Sequence, residues 1–399
     1  MTADLTLRRQ RSTASSSAAL PAPRADLGLD KAAHSTSFFD VSRRFGGERK
    51  IADFAIPTNP HFPPAEMVEE LQRQLPTLLK YYPTDSAETT RKLAKILGLN
   101  PQTVAMANGS TELITWIDHL LVTESLAIPI PTFGRWTDQP LETGKRVDMY
   151  PLREQDGFAL DVDDYVRFIR ERGSRVAVVC QPNNPDGGYV FRDRIVRMLD
   201  ELSDLDLIVI DESFLDFVDA EEQTSVAAEA AIRHNVVVLK SLGKNFGMHG
   251  IRFGYMVANP ALTAKVARML PKWNINSLAE AVVGMLEEHM PAYRHSLELA
   301  AQDRRVMVEK LQQAPGLTVF PTSTNFVLVK VADGWSGPAL RDYLVAEHGV
   351  YIRECGNKLG MTSDFIRLVV RPADDVDRLV AGLMAYAQPQ LLRTGTGAR

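Results

Sequence analysis

The stretch SLGKNFGMHGIRFGY, residues 241–255, sets one lysine, Lys244, among glycines just after the apolar run NVVVLK, and an arginine, Arg252, eight positions later. That run is apolar without alternation, the pattern of a strand buried on both faces. Such a strand carries Ser241 and Lys244 to one edge of a sheet, and Arg252 follows on a turn into the next strand. Working outward, the runs ESLAIPIPTF, KRVDMYPL, RVAVVCQP, DLIVIDESF, NVVVLKSL and IRFGYMVAN alternate with longer segments of helical spacing. The intervening helices supply layers that cover the sheet. The pattern predicts an α/β fold with a mostly parallel sheet.

SAETTRKLAKILGLN reads as a helix stopped by Gly98, and NPHFPPAEMVEELQRQLPTLLKYYP as a proline-rich approach, a helix and a Tyr-Tyr-Pro stop. Beyond residue 290 a polar helical segment, PAYRHSLELAAQDRRVMVEKLQQA, precedes the strands LTVFP, NFVLVKV and FIRLVVR, with helices at GPALRDYLVAEHG and DDVDRLVAGLMAYA. The expected organisation is a tail over residues 1–35, the first part of a smaller α+β domain over 36–75, a large domain over 76–290 and the rest of the small domain over 291–399. The tail is rich in Ser, Ala, Arg and Pro and reads as disordered. Asp4 and Asp26 count against a transit peptide, and no apolar segment suits secretion.

The chain has 399 residues and a formal charge of -5, so no basic field points to nucleic acid or an acidic membrane surface. A small molecule is the expected partner. Cys180 and Cys355 lie far apart without metal-ligand spacing, which suits a reducing, cytoplasmic setting and suggests neither a disulfide framework nor a metal. No apolar stretch is long enough to cross a bilayer.

Ligands of such sheets bind beyond the carboxyl ends of the strands. In MANGSTELITW, Gly109 and Ser110 open a helix whose N–H groups, with the hydroxyls of Ser110 and Thr111, suit a phosphate or carboxylate; an ordinary N-cap has the same pattern. CQPNNPDGG offers the amides of Asn183 and Asn184, or simply a turn. IVIDESF puts Asp211 at the end of an apolar strand, where an ionised carboxylate needs a cation or a protonated ring nitrogen. Glu212 beside it reads as solvated or salt-bridged, and Lys240, Lys244's rival, as solvated. Arg367 in FIRLVVRP offers a guanidinium fork to a substrate carboxylate. Together these groups describe a site for an aldehyde cofactor with a phosphate handle and a pyridine ring. A lysine forms a Schiff base with the aldehyde, a carboxylate keeps the ring nitrogen protonated, and a helix N-terminus with Ser241 and Arg252 holds the phosphate.

In order and spacing, GSTELI, NNPDGG, DESF and SLGKNFGMHGIRFGY resemble the motifs of the fold type I pyridoxal-phosphate (PLP) enzymes of aminotransferase class I/II. The resemblance covers nearly everything after the tail and implies a large domain with a seven-stranded type of sheet. It implies that Lys244 carries the cofactor and shuttles a proton, that Asp211 pairs with the ring nitrogen, that Asn184 meets the ring 3-oxygen and that Phe133 stacks on the ring. Gly109, Ser110, Thr111, Ser241 and Arg252 match the phosphate cup. Tyr82 matches a tyrosine reaching the neighbouring subunit's phosphate, which implies a homodimer with shared sites, and Arg367 matches the α-carboxylate arginine.

Within the class the chain resembles the histidinol-phosphate aminotransferases and the related threonine-phosphate decarboxylase, the latter through DESFLDF, NPHFPP, PKWNINSLAEA and IRECGNKLGMTSDFIRLVVRPADDVDRL. It departs from them at several positions. Phe214 stands where many aminotransferases have a tyrosine, and Phe45 where the decarboxylase has a histidine. Phe62 sits where backbone normally approaches the substrate, His249 replaces a small residue and Gly243 a hydroxyl. Arg353 and Arg44 are candidates for a second anionic group of the substrate. The bond held perpendicular to the ring is the one that breaks, so the carboxylate's orientation separates transamination from decarboxylation. The expectation is an aminotransferase acting on an α-amino acid or amino-alcohol phosphate. The alternatives are decarboxylation of an O-phospho-amino acid, Cβ or Cγ chemistry, and a catalytically silent PLP-binding protein.

Overall fold

The computed structural model describes residues 36–46 and 50–394; the expected tail over residues 1–35 lies outside them. Seven strands form the central sheet: β1 (Val104–Ala107), β2 (Ser125–Ile130), β3 (Arg146–Pro151), β4 (Val176–Cys180), β5 (Leu207–Asp211), β6 (Val236–Ser241) and β7 (Gly254–Val257). Their spatial order is β1-β7-β6-β5-β4-β2-β3. Neighbours from β6 to β3 pair in parallel. Only β7 is reversed, antiparallel to both β6 and β1. The expected α/β fold with its mostly parallel sheet is therefore what the chain adopts.

The unbroken apolar runs follow from burial on two faces. Ile208, Ile210, Val236 and Val238 join one core cluster, while their neighbours Leu207, Val209, Val237 and Leu239 join another. A strand that buries alternate residues on opposite faces has no polar position to show in its sequence. The second cluster is closed by the helix Ser110–Leu121, whose Leu113, Ile114, Ile117 and Leu121 are buried at helical spacing.

Strand β1 was absent from the sequence reading. Its four residues, VAMA, include one β-branched residue, and its pairing with reversed β7 is non-local. The helix read from Pro291 instead begins at Ser277 and runs to Gln313, with Pro291 inside it and Asn276 accepting from Ala279 N at 2.9 Å as its cap. A proline reads locally as a helix start, so the preceding fourteen helical residues were missed.

A second, antiparallel sheet consists of β8 (Leu317–Val319), β9 (Phe326–Val331), β10 (Arg353–Glu354) and β11 (Phe365–Val369), in the order β10-β11-β9-β8. The chain's front end is tied to it. Ala52–Asp53 pairs in parallel with Val350–Tyr351, and Val369 N donates to Phe54 O at 2.9 Å. Phe54 packs in the core of this second sheet, whereas Phe62 and Met67 pack in the core of the large one. No helix among the described residues is long and apolar enough to cross a membrane.

Candidate active site

The carboxyl edge of the large sheet gathers the residues singled out in the sequence. Asn184 follows β4, Asp211 ends β5, Ser241 ends β6 and Phe133 follows β2. Gly109 follows β1, and because β7 is reversed, Arg252 enters it at this same edge. The helix Ser110–Leu121 has Gly109 as its N-cap with no side chain bonded there, leaving the N–H groups of Ser110 and Thr111 for an anion. Glycine is required at this point. Gly109 has φ +87°, and a Cβ on it would lie 2.7 Å from Arg252 Nη2. Arg252 itself holds φ +60° and donates through Nη1 to His249 O at 3.5 Å. A Cβ on Gly254 would similarly meet Ser110 N at 2.8 Å. The two glycines let helix, strand and guanidinium close into a cationic cup of phosphate type.

Lys244 Nζ lies 4.2 Å from the centroid of Phe214 and 5.4 Å from that of Phe133. Burial lowers its pKa to about 8; Asp211 opposes the shift, while Arg367 and Arg252 add to it. The rival Lys240 is not solvated as expected. It is buried, with Nζ 3.0 Å from Glu212 Oε2 and 3.2 Å from Asp216 Oδ1. Burial opposes its charge, but the two carboxylates outweigh it and hold its pKa above the usual lysine value. Glu212 takes the salt-bridged alternative and is closed off completely, accepting also from Ser225 Oγ and Val226 N.

Asp211 is 5 % exposed. Its Oδ1 accepts from Ser213 N and Oγ, at 3.1 and 2.5 Å, and its Oδ2 from Trp136 Nε1 at 2.9 Å. Among the described residues these hydrogen-bond partners are neutral, and Lys244 is a cation in electrostatic reach of the carboxylate. Trp136 was missed in the sequence, although a buried indole N–H in PTFGRW demands an acceptor. Asn184 Oδ1 accepts from Arg367 Nη1 at 2.7 Å, and Arg367 Nη2 donates to Ala55 O at 2.5 Å. Arg367 Nε is buried without a partner. Burial lowers the Arg367 pKa to about 10, and Arg353 adds to the shift. Arg353 sits directly opposite Arg367 across β10 and β11, donating to Glu354 O and, at 2.6 Å, to Asn357 Oδ1.

Other expectations are redirected. Phe62 does not face a substrate: its ring packs 5.6 Å from Phe246 and 5.5 Å from Tyr293, behind the lysine loop. Phe45 packs against the cluster of Val41, Ile51 and Tyr351. Burial, with Lys244 and Arg252 adding, lowers the His249 pKa to about 4. Tyr82 is 81 % exposed, its ring 5.0 Å from Trp273, and this chain alone does not bring it to the cup. Arg44 is exposed in the turn after Val41. Both cysteines are free and buried.

Among the described residues, a buried amine with no ion pair, a buried carboxylate bonded only to neutral donors and a helix N-terminus crossed by a guanidinium gather at one edge of an α/β sheet. The chain belongs to the aminotransferase class I and II family, whose model matches residues 49–383, and its cofactor is PLP. An L-serine phosphate decarboxylase of Campylobacter jejuni is 26% identical over 90% of this chain and 94% of its own length. A CMP-5'-(3-aminopropyl)phosphonate synthase of Streptomyces rubellomurinus is 33% identical over 84% of this chain, which spans about half (52%) of that protein. A histidinol-phosphate aminotransferase of Ruminiclostridium cellulolyticum is 27% identical over 77% of this chain and 84% of its own. Among solved structures, a decarboxylase from Sulfurospirillum multivorans superposes with a TM-score of 0.82 at 26% identity, covering 90% of this chain and 94% of that one. A PLP complex of histidinol-phosphate aminotransferase from Sinorhizobium meliloti shares the fold, with a TM-score of 0.78 at 19% identity over 94% and 99% of the two chains.

Three outcomes follow from this geometry. Gly109→Ala is expected to weaken PLP retention on dialysis by roughly tenfold or more, since a strained positive φ alone costs about 1–3 kcal/mol. Only the neutral amine attacks an aldehyde, so the rate at which cofactor-free protein turns yellow with added PLP should rise towards about pH 8 and level off above it. A flat profile would place the lysine elsewhere. Lys240→Met should cost about 3–5 kcal/mol in chemical denaturation, because Glu212 is left buried and uncompensated.

Proposed function

We propose that this chain is a PLP-dependent decarboxylase of an α-amino acid bearing a second anionic group, with Lys244, Asp211 and the cup as its working residues. The observation that carries the reading is the cross-strand pair Arg353 and Arg367: two guanidiniums, 8 % and 5 % exposed, whose recorded acceptors are neutral oxygens. Buried charges persist when something compensates them, and here a substrate with two anionic ends does so. Likeness to L-serine phosphate decarboxylases over nine-tenths of the chain supports a phosphate or phosphonate at the second end.

PLP, when bound, supplies an electron sink for the bond broken at the α-carbon. The N–H groups of Ser110 and Thr111, with Ser241 and Arg252, hold its phosphate. Asp211, oriented by Trp136 and Ser213, keeps its carboxylate at the ring nitrogen. Phe133 covers the ring face and Asn184 offers its amide to the ring edge. Arg367 binds the α-carboxylate and Arg353 the second anion, which fixes the substrate at both ends and turns the scissile bond. Lys244 Nζ, whose pKa burial lowers to about 8, can take up and give back a proton near neutral pH, and in its ammonium form it returns one to the α-carbon after carbon dioxide departs. The exposed Tyr81, Tyr82 and Trp273 form a face suited to a second copy of this chain, whose Tyr82 would complete the cup.

Transamination is the second reading, and one contact favours it. Arg367 is bonded to Asn184 at 2.7 Å, so a carboxylate bound by Arg367 would be held beside the residue assigned to the ring edge. The PLP-loaded protein incubated with O-phospho-L-serine should release carbon dioxide without an added keto acid, and Arg353→Ala should lower kcat/KM about 100-fold. Amino transfer that requires a keto acid, with no carbon dioxide, would instead establish the second reading.

A further inference from the structure

Lys358 belongs to none of the site motifs, and the chemistry above does not use it. Its Nζ donates to Thr132 O at 2.9 Å, on the residue before Phe133. The residue preceding it, Asn357, accepts from Arg353 Nη2, and Arg353 faces Arg367 across the sheet. Three cations therefore meet at one edge of the site, and among the described residues the hydrogen-bond acceptors of all three are carbonyl or amide oxygens. Carboxylates also lie in electrostatic reach of this cluster, Glu354 beside Arg353 among them. Asp186 acts on Lys358; it is buried, bonded to Gly188 N and Asn183, and pushed up to about 6 by burial. Asp53 acts on Arg367. Burial lowers the Lys358 pKa to about 8, and Arg367 and Arg353 add to the shift, so the three cations repel one another when no anion lies between them.

We propose that Lys358 is a specificity-determining residue that joins Arg353 in seating a tetrahedral dianion, phosphate or phosphonate, at the far end of the amino substrate. The inference deepens the reading of Arg353 given above and rests on it. A planar carboxylate is satisfied by the fork of one arginine. A phosphate carries three terminal oxygens that do not lie in that plane, and an ammonium group has three donors to offer in any direction. With one donor spent on Thr132, Lys358 keeps two for the oxygens the Arg353 fork does not reach. The same seat leaves a surplus of positive charge around a carboxylate, so it discriminates by charge as well as by shape.

The test uses the PLP-loaded protein and two amines of matched length that lack an α-carboxylate, O-phosphoethanolamine and 4-aminobutyrate. Each is titrated against the initial change in cofactor absorbance, in wild type, Lys358→Met and Lys358→Arg. The wild type is expected to bind the phosphate amine at least about tenfold more tightly than the carboxylate amine. Lys358→Met should remove most of that preference and Lys358→Arg should retain it. The yellow absorbance of each variant reports that it is folded and loaded. Equal loss for both amines in Lys358→Met would make Lys358 a structural tether to Thr132 and overturn the proposal, as would an undiminished preference. A wild type with no preference overturns the dianion seat and the reading of Arg353 with it. Neither result depends on whether carbon dioxide is released, because neither amine carries a carboxylate on its α-carbon.

Discussion

Two lysines four residues apart receive opposite treatment, and the rest of the site follows from that difference. Lys240 and Lys244 are carried by the end of one strand and the turn after it. Lys240 points into a pair of carboxylates that hold its charge, while Lys244 meets aromatic rings and two arginines that disfavour it. An amine must lose its proton to attack a carbonyl, so the protein has to withhold an ion pair from Lys244. The same interior satisfies Lys240 and anchors the base of the loop. Asp216 takes part in this: it also accepts from Tyr293 at 2.6 Å, and Tyr293 packs on Phe246 in the lysine loop.

Reversal of β7 is the second constraint. If all seven strands ran the same way, the residue preceding the seventh strand would lie at the opposite edge. Because β7 runs against its neighbours, Arg252 and Gly254 reach the carboxyl edge and meet Gly109 and Ser110. The cup proposed for a phosphate is therefore a product of strand direction, and the absence of a Cβ at Gly109 and Gly254 is what permits its closeness.

The substrate side comes from a different sheet. Arg353 and Arg367 share one face of antiparallel neighbours, with Phe326 beneath the Arg367 guanidinium at 5.3 Å. Ala55, drawn to this sheet by the pairing of Ala52–Asp53, supplies a carbonyl that fixes Arg367. The groups proposed for the cofactor thus sit on one sheet and those proposed for the substrate on another, and the two meet at the hydrogen bond between Asn184 and Arg367.

The sequence by itself determined the sheet class and marked the residues that gather at its carboxyl edge. Residues buried on two faces must be largely apolar, so β2, β4, β5 and β6 are visible without any knowledge of their partners, and polar residues at the ends of such runs stand out against them. Asn184, Asp211, Ser241 and Lys244 stand out for that reason and Arg367 among apolar neighbours, while Gly109 is marked by the helix it opens and Arg252 by the turn into its strand. Tertiary structure alone decided what depends on contacts distant in sequence. The four residues of β1 gain strand form from β7, Lys240 finds Glu212 and Asp216 rather than water, and Phe62 turns into an aromatic core. Trp136 becomes a partner of Asp211 across 75 residues, and Lys358 reaches Thr132 across 226. Local pattern records whether a residue is buried, but not which group it meets there, and in this protein the meeting sets each lysine's charge.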